Sequence, residues 1–212
     1  MPRIIANNES GKGPEISRYT ISLFDKPTET DNASTPWDGI AALCVAEELP
    51  KPKRPRGINP TDSFEERVIP FQQWQTKEYI VDDPSDKLPV TPLRLNRPFP
   101  CTRSGYLRVN RLISLNPDAD WIMLEKYWLD VRAPRLRNIL KDANAFGFVI
   151  NISLHPADAP YAGLEEYYFS DDSNWHASQG LVNFEENEFF GASEIFTTHT
   201  EFVGISDRKT NG

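Results

Sequence analysis

Alternation of apolar and polar residues is the clearest signal along much of the chain, and it indicates short β-strands. Residues 148–154, which are mostly apolar, predict a further strand whose full burial would place it inside a sheet or against the helices. The alternating segments lie at 18–24, 77–81, within 103–115 and at 195–203. The chain is therefore expected to build a sheet from short strands.

Residues 116–147 carry the strongest helical pattern. Apolar residues recur there at steps of three and four, as on one face of a helix. Asn116 and Pro117 suit a helix start, Pro134 suits a break between two helices, and Gly147 suits a stop. On this pattern Trp121 and Trp128 both face the core, and truncating either to Ala is expected to cost about 3–5 kcal/mol. A helix-turn-helix that reads DNA is the alternative, but the large aromatics favour a structural role.

A second, shorter helix is predicted over residues 35–49. Thr35 and Pro36 resemble a helix cap followed by a first-turn proline, and apolar residues follow at helical spacing up to Leu49. Later, in 155–206, short aromatic and acidic runs separated by Gly180, Gly191 and the polar residues 171–174 predict an antiparallel meander.

These elements predict an α+β fold in which an antiparallel sheet packs against a helical pair, with an extended proline-rich N-terminal arm and loops. We divide the chain into an arm with one strand and one short helix (1–57), an α+β body (58–206) and a frayed C-terminus (207–212). The 18 prolines outnumber the 11 glycines. Prolines are dense at 51–57 and 82–100, which favours extended backbone in both segments.

Charge is strongly segregated along the sequence, although the net charge is only -8. Residues 94–141 contain 10 Lys and Arg against 4 Asp and Glu, whereas residues 142–212 contain 2 against 12. The basic middle and the acidic tail either compensate one another within the fold or face separate partners. We favour internal compensation.

Basic and aromatic residues before the central helices are the candidates for contacts with partners. Arginines interleaved with aromatics suit a protein interface and equally a single-stranded nucleic acid. A solvated linker is the favoured interpretation of the basic run at 51–56, which also fits a loose nuclear-import pattern. The candidate residues are Lys51, Lys53, Arg54, Arg56, Arg94, Arg97, Phe99, Arg103, Tyr106, Arg108 and Arg111.

Candidate catalytic chemistry is weak. The sequence has no Gly-rich phosphate loop, Gly-x-Ser-x-Gly elbow or His-Glu-x-x-His motif. Cys44 and Cys101 are expected to be free thiols. The three histidines and three nearby aspartates allow a two-His, one-carboxylate metal site in principle, but surface histidines without metal are the favoured interpretation. They are His155, His176, His199, Asp158, Asp171 and Asp172. We assign no catalytic residue, metal or cofactor.

A non-enzymatic subunit of a larger assembly, such as a virus or phage particle, is the leading functional hypothesis. Its partners would be other protein subunits, bound through the extended arms. One alternative is a nucleic-acid-associated regulator that uses residues 51–56 and the arginines of 94–137, and another is a metal-dependent enzyme that uses the late histidines. No apolar run approaches the roughly 20 residues of a membrane span. We expect an intracellular protein or one inside a virus particle.

Overall fold

The structure is a computed structural model that describes residues 16–25, 37–46, 74–88, 105–182 and 188–205. Its fold is α+β, as predicted. Most of the predicted arm, the proline-rich stretch after residue 88 and the C-terminal residues 206–212 lie outside the described residues. The strands are β1 (Ile16–Leu23), β2 (Gly39–Val45), β3 (Thr76–Asp82), β4 (Leu107–Leu115), β5 (Ala145–Ser153), β6 (Gly163–Phe169), β7 (Phe190–Thr198) and β8 (Thr200–Ile205). The α-helices are α1 (Trp121–Tyr127), α2 (Ala133–Asp142) and α3 (Asp172–Val182).

Two antiparallel sheets organise these strands. The larger has five strands in the order β3-β5-β6-β4-β7, and the smaller has three in the order β2-β1-β8. The strand predicted at 148–154 corresponds to β5, which pairs with β3 on one side and β6 on the other. The smaller sheet joins strands from the first 57 residues to the last described strand.

The five-stranded sheet is covered on both faces because successive side chains of a strand point to opposite sides. One face packs against the helices: Val109, Phe148 and Tyr167 share a core with Leu124 and Trp128. The other face carries a smaller apolar cluster, to which the small sheet contributes. This second cluster contains Leu112, Tyr161, Leu164 and Phe196, packed against Phe24, Trp37, Ile40 and Trp74.

The central helical unit differs from its prediction at its start and at its proline. The helix begins at Trp121 with Asp120 as its cap, so the predicted start at Asn116 is wrong. Pro134 does not break the helix either. A five-residue π-helical turn, Trp128–Arg132, joins α1 to α2, and Pro134 lies in the first turn of α2. The backbone stays helical ahead of the proline, with the Ala133 N–H donating to the Trp128 carbonyl, and the irregular π-helical turn lies where the proline removes a donor.

The end of the unit is also displaced from Gly147. Helix α2 ends at Asp142, and Asn144 then takes the left-handed backbone conformation, with φ 57°. Gly147 lies inside β5, where a Cβ atom would fall 2.4 Å from the Cβ of Pro84. The glycine is therefore a point of close approach between β5 and the chain after β3.

Residues 39–45 form strand β2, so the helix predicted over 35–49 is wrong. The seven residues Gly39–Val45 fit either a helical or a strand period, and pairing with β1 decides in favour of the strand. Cys44, which lies in this strand, is a free thiol, and Cys101 lies outside the described residues.

The predicted all-strand tail contains a helix. Helix α3 (Asp172–Val182) runs through Gly180, and the polar residues taken as a turn are its start. Asp171 accepts hydrogen bonds there from the backbone N–H of Asn174 at 3.1 Å and from the hydroxyl of Ser173 at 2.5 Å. The strand predicted over 195–203 divides at His199 into β7 and β8, which belong to different sheets.

Candidate functional site

Eight of the eleven candidate contact residues lie outside the described residues, and the structure buries the other three. Tyr106, Arg108 and Arg111 are each less than a tenth exposed, in or next to β4. The structure brings Tyr106 and Arg108 together around Glu201, and it places Arg111 on the opposite face of the sheet. The contacts of these three side chains are therefore within the chain.

Arg108 is the centre of a buried cluster between the two sheets. Its guanidinium lies 2.8 Å from a carboxylate oxygen of Glu166 on β6, and it also forms an ion pair with Glu201 on β8. The Ser22 hydroxyl of β1 accepts from Arg108 at 2.9 Å, and the Tyr106 hydroxyl donates to Glu201 at 2.8 Å. One arginine thus connects strands of both sheets.

The electrostatics of this cluster keep Glu201 ionised. Burial alone raises the pKa of the Glu201 carboxyl, but the charge of Arg108 and the hydrogen bonds that Glu201 accepts outweigh burial, so its pKa is lowered. Glu166 also accepts from the Tyr168 hydroxyl at 2.7 Å and from the Asn151 amide at 3.1 Å. Both carboxylates therefore accept hydrogen bonds from donors of the same chain.

Glu165 forms the second cluster, on the helix-facing side of the same sheet. Arg132 of the π-helical turn donates to its two oxygens, at 2.6 and 2.9 Å. The indole N–H of Trp128 donates at 2.7 Å, and the Tyr167 hydroxyl donates as well. Burial raises the pKa of Glu165, but Arg132 outweighs it and the pKa is lowered. Arg111 lies 4.0 Å away and donates to the carbonyl of Val182 at 3.0 Å.

These two clusters confirm internal compensation between the basic middle and the acidic tail. Arg108, Arg111 and Arg132 come from the basic part of the sequence, and the glutamates come from the acidic part. A buried charge is tolerated when it is paired and hydrogen-bonded, as it is here. The arrangement fixes β4 and β6 to the helices on one side and to β8 on the other.

The histidines are distributed over separate places. His155 and His176 are exposed, whereas His199 is half-buried between Asp25 and Asp172. Within the described ranges, no cluster of three or more His, Cys, Asp or Glu side chains is arranged to hold a metal ion. Sequence reasoning associated His155 with Asp158 and found no signal for the contact of His199 with Asp25.

Large apolar side chains are exposed on the surface at the start of α1. Three consecutive side chains at the start of α1 are exposed: Trp121 at 49%, Ile122 at 68% and Met123 at 46%. We call these three residues the α1 patch. Successive residues of a helix are rotated by about 100°, so three in a row cannot all face one core. The predicted burial of Trp121 is wrong, because its side chain is half exposed.

An open cleft of about 290 Å³ adjoins the α1 patch. Trp121, Pro117 and Ala119 form one wall, and Pro156 and Pro160 of the loop after β5 form the other. Three exposed aspartates, Asp118, Asp120 and Asp158, are sequence neighbours of residues that line the cleft, and the sequence has no Lys or Arg at 114–123 or 154–160. The α1 patch is apolar, whereas the cleft beside it is lined by both polar and apolar atoms and has exposed aspartates nearby in the sequence, a combination that suits a basic, partly apolar ligand.

No known family model matches the chain, and no curated protein sequence matches it. Among the described helices, none has the length and apolar character that crossing a membrane requires.

Proposed function

We propose that this chain is a non-enzymatic assembly subunit of a larger protein complex, such as a virus or phage particle. The observation that carries the proposal is the exposed α1 patch beside the cleft. Contiguous large apolar side chains on a surface are typical of interaction sites, since covering them removes apolar area from water. Trp121 is moreover the residue type most often found at the energetic centre of an interface.

The occupant that fits the cleft is the basic, proline-rich segment 51–57 of a neighbouring copy of the chain. Pro52 and Pro55 favour an extended polyproline-type backbone in this segment. Such segments bind grooves lined by aromatic and proline rings, and they lose little conformational entropy on binding. The Trp121 ring and the prolines of the cleft provide walls of this kind.

Charge supports the same occupant. The segment carries Lys51, Lys53, Arg54 and Arg56, whereas the exposed Asp118, Asp120 and Asp158 directly follow or precede residues that line the cleft. Opposite charges on the two surfaces favour association and fix the direction in which the segment lies. Because these charges are exposed, the attraction should weaken as salt concentration rises.

Light scattering after size exclusion, over a concentration series, tests assembly. We expect the wild-type chain to self-associate and a triple variant, Trp121→Ala, Ile122→Ser and Met123→Ser, to remain a monomer with an unchanged melting temperature. Leu181→Ser is the matched control, because Leu181 is 64% exposed on a different helix, α3. A wild-type chain that is monomeric at every concentration would contradict the proposal, as would a triple variant that assembles normally.

Fluorescence anisotropy with a labelled peptide of residues 50–57 tests the occupant. We expect the peptide to bind the wild-type chain, to bind more weakly in high salt and to lose binding to Trp121→Ala. A peptide with Pro52 and Pro55 replaced by Ala is the control for backbone shape. Absence of peptide binding to a chain that nevertheless assembles would show that the cleft has a different occupant.

A further inference from the structure

His199 is the single residue between β7, which ends at Thr198, and β8, which begins at Thr200. Strand β7 pairs with β4 in the five-stranded sheet, and β8 pairs with β1 in the small sheet. The chain thus crosses from one sheet to the other at a titratable side chain. The ring is about a fifth exposed, so solvent protons reach it.

The two ring nitrogens of His199 contact two different elements. Nδ1 lies 2.7 Å from a carboxylate oxygen of Asp25, which follows β1 in the small sheet. Nε2 lies 2.6 Å from a carboxylate oxygen of Asp172, the first residue of α3. The backbone N–H of Asp25 in turn donates to the carbonyl of Thr197 at 2.8 Å. The imidazole therefore connects the small sheet, the sheet junction and a helix of the opposite layer.

This geometry suits the protonated ring. A neutral imidazole has one N–H and one lone pair, so it can donate to only one of two carboxylates. The imidazolium donates to both and carries the charge that two aspartates stabilise. Deprotonation would leave a nitrogen lone pair directed at an ionised carboxylate, which is repulsive.

The charged surroundings of the ring are acidic. Asp25 and Asp172 act on it directly, while Asp171 is engaged by Ser173 and Asn174, and Glu201 is engaged by Arg108. Between Asp142 and Asp207 the sequence contains no Lys or Arg. Burial lowers the pKa of His199, but its hydrogen bonds to Asp172 and Asp25 outweigh burial, and the pKa is raised above its ordinary value of 6.5.

We propose that His199 is a pH-sensitive latch that holds the end of β1 and the start of α3 to the junction of the two sheets. Because the pKa is raised in the folded chain, the latch contributes its full stabilisation below the ordinary histidine pKa. The stabilisation is lost as pH rises through the pKa of the folded state. Opening above this pKa frees Asp25 and so loosens the end of β1, the central strand of the small sheet.

Two NMR measurements on the full chain test the latch. The ring resonances of His199 are expected to titrate above the ordinary value of about 6.5. Exchange protection of the Asp25 amide, corrected for intrinsic pH dependence, is expected to fall as pH rises from the ordinary histidine pKa through the pKa of the folded state, by about tenfold for each unit by which the pKa is raised. Amides of β5 serve as the internal control for global stability.

Two variants separate the latch from ordinary packing. His199→Gln should make the protection of the Asp25 amide independent of pH over this range. Asp172→Asn removes an exposed carboxylate without changing its shape and should lower the pKa of His199. A ring that titrates at or below the ordinary value would overturn the proposal, and so would Asp25 protection that stays constant through the titration.

Discussion

The two faces of the five-stranded sheet use similar chemistry for different purposes. Glu165 and Glu166 are neighbours on β6 and point to opposite faces, and each meets an arginine from β4. On the helix face, Glu165 is enclosed by Trp128, Arg132 and the largest apolar core of the described residues. On the other face, Arg108 connects Glu166 to Glu201 and thus to a second sheet.

The comparison shows which part of the fold depends on its charges. The helix face has a large apolar core around its ion pair, and every residue of β6 is buried. The small sheet has fewer buried side chains: only Thr20 and Ser22 are buried in β1, and the described residues of β2 are half-buried or exposed. We therefore expect loss of a helix-face charge to destabilise the whole core, and loss of a charge at the small sheet to act locally.

Glu165→Ala should have the largest effect. The substitution leaves Arg132 buried without its carboxylate, next to Arg111, and breaking a buried pair from one side costs about 3–5 kcal/mol. Urea denaturation followed by circular dichroism measures this loss. Glu188→Ala is the control, because Glu188 is exposed and its loss should change stability by no more than about 0.5 kcal/mol. If Glu165→Ala lowers the free energy of unfolding by less than about 1 kcal/mol, charges on the helix face matter no more to global stability than charges at the small sheet.

Glu165 also determines how the stability of the fold changes at acid pH. Since the pKa of Glu165 is lowered in the folded state, its stabilisation is present above its ordinary pKa and is lost as pH falls through the folded-state pKa. The His199 latch weakens in the opposite direction, as pH rises. The urea midpoint, measured over a pH series, should therefore decrease at acid pH because Glu165 in the core is protonated. It should also decrease at alkaline pH because His199 at the sheet junction loses its proton.

Glu201→Ala should have an intermediate and localised effect. Arg108 keeps its ion pair with Glu166 in this variant, so the cost is that of lost charged hydrogen bonds, about 1.5–3 kcal/mol. Hydrogen exchange should show faster exchange in β1 and β8 and little change in β5 and β6. Equal acceleration in both sheets would mean that the two sheets unfold together.

Arg18→Ala should have the smallest effect. The ion pair between Arg18 of β1 and Glu78 of β3 links the two sheets, but the side chains are 34% and 30% exposed. Pairs at such positions contribute about 0.2–1 kcal/mol, and salt screens them. A double-mutant cycle with Glu78→Ala, at low and high salt, measures the coupling energy. A coupling above about 2 kcal/mol that persists in high salt would show that attachment of the small sheet depends mainly on this pair.

The sequence predicted the strands better than it predicted their partners. Strong local signals found β1, β3, β4 and β5, because alternation and apolar runs depend on nearby residues. The segment that forms β2 fits the apolar spacing of a helix and that of a strand, and only its pairing with β1 decides between the two. The division of residues 190–205 into β7 and β8 at His199 is likewise decided by tertiary pairing, because β7 pairs with β4 in one sheet and β8 pairs with β1 in the other.

The site was less accessible to sequence reasoning for a similar reason. Charge segregation correctly indicated that basic and acidic parts meet, but it could not show which arginine meets which glutamate. Strand alternation gives part of the pairing, because Arg108 and Arg111 are three residues apart and must face opposite sides of the sheet. Trp128 is buried and keeps its expected cost of about 3–5 kcal/mol on truncation, whereas Trp121 is half-exposed and should cost much less.

The π-helical turn Trp128–Arg132 sets the angular phase between α1 and α2. Deleting one residue within it would rotate α1 by about 100° relative to α2. Leu124 would then leave the core at the same time as the α1 patch turned away from the cleft. Length changes at the turn thus alter core and surface together, whereas point substitutions at Trp121, Ile122 or Met123 alter the surface alone.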